Sequence, residues 1–114
     1  MTSPSDQRSA RKRSIVTESL DWRGIALSVS YDPSFFVSDF GRDDPQAHLE
    51  IHVISPEGAR LPFTETGYRS HFLPPRLVEQ AGGPAVYVRI WLDDASTSRA
   101  WRRYEDDSRQ LSLF

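Results

Sequence analysis

The chain has 114 residues, a formal net charge of −2, and 38% apolar and 26% charged residues, which fits one ordinary globular domain. It has no cysteine, which excludes disulfides, thiol nucleophiles and thiolate metal sites, and the near-neutral charge excludes an overall polycation for nucleic acid. No apolar run approaches ~18 residues, and the opening MTSPSDQRSARKR has no apolar stretch of signal type, so neither a membrane span nor a secretory leader is expected and the cytoplasm is the expected location.

In chain order, residues 1–14 are expected as a disordered basic tail, with Arg8, Arg11, Lys12 and Arg13 set against the single acid Asp6. Residues 15–32 predict two strands joined at Arg23-Gly24, where glycine can take positive φ. Ile25, Leu27, Val29 and Tyr31 alternate with Ala26, Ser28, Ser30 and Asp32, the pattern of a half-buried strand that Asp32-Pro33 should end. A loop is expected over residues 33–46, with Phe35, Phe36, Val37 and Phe40 plugging onto the core.

Residues 47–55 predict the next strand, with Leu49, Ile51 and Val53 on one face and His48, Glu50 and His52 on the other. Pro56-Glu57-Gly58 marks a turn, and Leu61–Leu73 is partly extended. A short helix is expected over Arg76–Ala81, opened by Pro74-Pro75 and closed by Gly82-Gly83. Alternation of Val86, Val88, Ile90 and Leu92 with Tyr87, Arg89 and Trp91 predicts a strand over residues 84–93. A final helix to about Arg109 is expected, with Trp101 and Tyr104 on its core side and Arg102/Asp106 and Arg103/Asp107 as i,i+4 ion pairs. The expected fold is a single α+β domain over residues 15–109, a four- or five-stranded, mostly antiparallel sheet with one short helix and a C-terminal helix.

Signals for catalysis or cofactors are thin. His48, Glu50 and His52 share a strand face, but steps of ~6–7 Å along a strand would strain a single tetrahedral ion, so no metal site is assigned. His71, in TETGYRSHF, would need a second group within reach that sequence does not place. No phosphate-binding glycine loop, nucleophile elbow or zincin helix is present, so no cofactor and no catalytic residue is assigned.

The chain closes with Gln110-Leu111-Ser112-Leu113-Phe114, following the polar run EDDSRQ. QLSLF resembles the pentapeptide by which bacterial replication and repair proteins dock onto the β sliding clamp, the ring-shaped processivity factor of DNA polymerase III. It meets every position of the preferred QL(S/D)LF pattern, which residue frequencies place at roughly one in several hundred thousand at a chosen position. The resemblance implies that Leu113 and Phe114 fill one hydrophobic pocket, Leu111 takes a neighbouring shallow site and the Gln110 amide bonds at the rim. It implies a non-enzymatic accessory or inhibitory protein docked through residues 110–114.

The alternative expectation is that Leu111, Leu113 and Phe114 close the domain's own core, in a mobile-element anti-defence or regulatory protein that binds a host protein or nucleic acid through its domain surface. The basic residues of the tail offer the only weak nucleic-acid contact. The stretch LPFTETGYRSHFLPP resembles small proteins carried on proteobacterial plasmids and integrative elements. Thirteen of the 14 basic residues are arginine, which agrees with a GC-rich origin of that kind.

Overall fold

A computed structural model of the chain describes residues 15–36 and 46–112. Four strands, β1 (Val16–Trp22), β2 (Ile25–Phe36), β3 (Gln46–Ser55) and β4 (Tyr68–Leu73), form one antiparallel sheet in the order β1-β2-β3-β4. Three helices follow: α1 (Pro75–Ala81), α2 (Pro84–Ala95) and α3 (Arg99–Ser112). The class is α+β.

The β1–β2 hairpin is closed by a two-residue turn with φ of 51° at Arg23 and 83° at Gly24, the type I′ signature whose twist suits antiparallel strands. Alternation then sorts the side chains. Leu20, Trp22, Leu27, Val29, Tyr31, Ala47, Leu49 and Ile51 form the inner face and are buried. Ser28, Ser30, His48, Glu50 and His52 form the outer face, joined by register pairs such as Ser30↔Glu50 and Ser28↔His52. Val78, Val88, Leu92 and Trp101 from the helices complete the core under the inner face.

Three expectations are corrected. β2 does not stop at Asp32-Pro33 but runs to Phe36. The proline is accommodated by a register shift between Asp32 and Phe36, where the missing N–H costs no ladder bond. Val37 and Phe40, and the side chains of Phe35 and Phe36, lie outside the described residues.

The second correction is larger: residues 84–93 are helical, not a strand. Pro84 sits in the first turn of α2, where its missing N–H is harmless, and the Glu18 carboxylate accepts from the Ala85 amide at 3.0 Å, satisfying an N-terminal donor from across the fold. The helix separates residues that alternation had placed on one face. Val88 and Leu92 are fully buried, whereas Val86 and Ile90 are 42% and 54% exposed.

Third, α3 continues to Ser112. Its start is capped by Ser98, whose hydroxyl accepts from the Trp101 amide at 3.1 Å. No breaker interrupts the sequence at Arg109, so the helix carries the first three residues of the QLSLF segment.

Candidate functional site

α3 leaves the body of the domain progressively. Trp101 is buried, its ring 6.1 Å from that of Trp22 and 5.0 Å from that of Tyr104. Tyr104 and Glu105 are half-buried: the Arg60 guanidinium lies 5.2 Å over the Tyr104 ring, and Glu105 meets Arg23 at 3.6 Å. From Asp106 to Gln110 every residue is exposed. The expected Arg102/Asp106 and Arg103/Asp107 pairs do not form among the described residues; Asp106 instead takes Arg109, one turn on, at 2.9 Å. Gln110 therefore stands on a solvated helix. The side chains of Leu111 and Ser112, and all of Leu113 and Phe114, lie outside the described residues.

The turn between β1 and β2 is pinned to the α2–α3 junction. Trp22 Nε1 donates to Asp93 Oδ1 at 2.9 Å, Arg23 Nη2 donates to Ser96 Oγ at 3.2 Å, and the Arg23 guanidinium lies 4.6 Å over the Trp22 ring. These contacts fix where α3 departs. The two hydrogen bonds join residues more than 70 apart in sequence, which no local pattern announces.

The outer face of the sheet holds the histidine row as alternation placed it. His48 Nδ1 and His52 Nε2 each lie 4.0 Å from a different oxygen of Glu50. His48 Nε2 is 2.6 Å from Ser70 Oγ and its ring stacks on Phe72, while His52 packs against Tyr68. The two imidazoles are committed to neighbours on either side of the carboxylate. Among the described residues no three His, Asp or Glu side chains converge as a metal set would.

His71 lies on the inner side of β4, its ring 4.6 Å from that of Trp91. Phe63 packs at a tilt on the same indole, ring centroids 4.2 Å apart, and Arg69 lies 5.6 Å over it while donating to the Phe63 carbonyl at 3.3 Å. Burial first, and then the Arg69 charge, push the His71 pKa below its ordinary value. No hydrogen bond or ion pair to His71 is formed among the described residues, so the second group that acid–base work requires is not brought to it. The TETGYRSHF stretch has a structural use. The Thr64 and Thr66 hydroxyls donate to the Tyr68 carbonyl, and Gly67, at φ 80°, places its carbonyl to accept from the Val53 amide at 2.8 Å.

Sequence reasoning did not anticipate two open grooves flanking Tyr104. One, of about 320 Å³, lies between the Arg60–Glu65 segment and the start of α3; the other, of about 410 Å³, runs along α3 toward Arg109. No local signal joins Arg60 to Tyr104.

The family model described as the KlcB third domain matches residues 15–101. No curated protein and no solved structure matches the chain. The match spans the sheet, α1, α2 and the first turn of α3; the rest of α3 and the QLSLF segment lie beyond it.

Proposed function

The chain belongs to the KlcB third-domain family, and from that premise we propose that it is a plasmid-associated accessory protein that docks through Gln110, Leu111, Ser112, Leu113 and Phe114 on the bacterial β sliding clamp, where it presents its α+β domain. The observation that carries the proposal is the complete QLSLF pattern in the sequence, beginning on a helix whose residues 106–110 are all exposed. Its position beyond the family-matched segment supports a modular arrangement, with a folded body and a separate docking peptide. Burying two leucines and a phenylalanine contributes roughly 5–8 kcal/mol gross. Ordering and association oppose this by several kcal/mol, which leaves an affinity on the order of micromolar or poorer.

The test is a series of single substitutions read by calorimetry against purified clamp. Leu113→Ala and Phe114→Ala should remove most of the binding, because a few buried anchors dominate small interfaces. Leu111→Ala should weaken it less, and Gln110→Ala should cost about 1 kcal/mol, one rim hydrogen bond. A flat series would end the proposal.

A second reading draws on the same family membership. The match covers the domain rather than the tail, which favours a mobile-element anti-defence or regulatory protein acting on a host protein or nucleic acid through its domain surface. Under that reading the tail is structural, so substitutions at residues 110–114 change function only as far as they unfold the domain.

A further inference from the structure

Among the described residues β1 is an edge strand of the sheet, and its backbone polarity follows from the hairpin. A two-residue type I′ turn makes the flanking pair, Trp22 and Ile25, a hydrogen-bonded pair, and such pairs alternate along an antiparallel ladder. Leu20, Glu18 and Val16 therefore also turn their N–H and C=O groups toward β2. Thr17, Ser19 and Asp21 turn theirs outward, and none of these groups has a backbone partner among the described residues. The strand has no proline, no lysine and no bulge in VTESLDW or in its pairing with β2; its charges are the outward Asp21 and the inward Glu18, whose carboxylate accepts from the Ala85 amide.

Side chains around this edge are self-complementary. An antiparallel pairing centred on Ser19 matches the most residues. It sets Ser19 against the partner's Ser19, Thr17 against the partner's Asp21, and Glu18 against the partner's Leu20, so no like charges stand directly opposite. It also sets Val16, 47% exposed, against the partner's Trp22. Above the edge, Ala85 of α2 bonds Glu18 and Asp93 bonds Trp22. Arg89 lies on α2 midway between these two contacts, four residues from each. Arg89 is exposed and has no ion pair among the described residues. In the pairing centred on Ser19, the partner's Glu18 stands opposite Leu20, between those two contacts.

We infer that two copies of this chain associate through β1, forming a continuous eight-stranded antiparallel sheet about a two-fold axis at Ser19, with Arg89 of each copy meeting the other's Glu18. The partner is a second copy because the edge offers that partner what it needs on both sides of the axis: outward backbone groups, an uncovered valine and an unpaired cation opposite a carboxylate.

The experiment is sedimentation equilibrium on the full chain. The wild type should show a concentration-dependent mass rising to twice 13.0 kDa. Ser19→Lys puts two cations directly opposite each other at the axis while leaving the solvated outer face of the monomer undisturbed, and should weaken association about tenfold or more, with partial recovery in high salt. Ser19→Pro removes an N–H that points away from β2, so its circular dichroism should match wild type while the dimer is lost. Arg89→Glu should weaken association in the same direction.

A wild type that stays at 13.0 kDa up to about 500 µM overturns the inference, since an edge weaker than that has no specific partner in itself. A dimer unaffected by Ser19→Lys overturns it as well, whatever the folding of the proline variant, because association would then use another surface.

Discussion

Four aliphatic residues, Val86, Val88, Ile90 and Leu92, lie at every second position, and a strand would place them all on one face. In α2 they split: Val88 and Leu92 are buried, while Val86 and Ile90 are solvated. Alanine at each position measures the difference. Leu92→Ala removes three carbons from a site with no exposure and leaves a cavity, at a cost of about 3 kcal/mol within a range of roughly 2–5. For a domain of this size that lowers Tm by roughly 12–24 °C. Val88→Ala should cost about 2 kcal/mol on the same reasoning. Ile90→Ala and Val86→Ala remove atoms already largely in water and gain helix propensity, so both should stay within about 0.5 kcal/mol of wild type. Urea or thermal unfolding followed by circular dichroism reads all four. Comparable losses at positions 90 and 92 would refute the helix and restore the strand.

The lowered pKa of His71 has a pH consequence. The folded state holds its proton less tightly than the unfolded chain does, so this contribution to stability is fully present above the ordinary histidine value of 6.5 and is lost as pH falls through the lower folded value. Tm measured between pH 7.5 and 5 should fall, and His71→Phe should flatten that fall; an unchanged slope would contradict it. Zinc or nickel at stoichiometric concentration should not raise Tm, because the imidazoles of His48 and His52 are engaged on either side of Glu50; a rise of several degrees would show a metal set at that row. Deleting residues 1–13 should leave unfolding free energy within ~1 kcal/mol of wild type; a larger loss would mean that the basic segment packs on the domain.

Where local rules and tertiary contacts agree, the fold is legible in the sequence. Arg23-Gly24 specified the hairpin, period-two alternation over residues 47–53 specified which face of β3 is buried, and the Pro-Pro and Gly-Gly brackets specified α1. The failure at α2 has a definite cause. Val, Tyr, Ile and Trp favour strands through packing on a pleated surface, a context-dependent preference that tertiary contacts override. Here the overriding contacts are the Glu18 carboxylate on the helix start and Trp22 on Asp93, both from β1. One helical signal was present, Pro84 after two glycines, at the first-turn position where proline is favoured, but alternation outweighed it.

At the candidate site the five-residue pattern was readable because it is a linear peptide. The exposure of Gln110 follows from the polar run Glu105–Gln110 of α3, in which Glu105 meets Arg23 and residues 106–110 are exposed. The Arg60–Tyr104 contact and the grooves beside it depend on packing between distant segments, and no periodicity encodes such a meeting.

Docking of QLSLF on the replication clamp is read by a calorimetric titration of the full chain into purified β clamp at tens of micromolar, repeated with residues 113–114 removed. The full chain should bind saturably at about micromolar affinity, the truncated one should give no detectable heat, since roughly 3–6 kcal/mol of gross apolar burial is gone, and both should give the same circular dichroism. No binding by the full chain would defeat the docking proposal, and so would a truncated chain that unfolds, because Leu113 and Phe114 would then belong to the core.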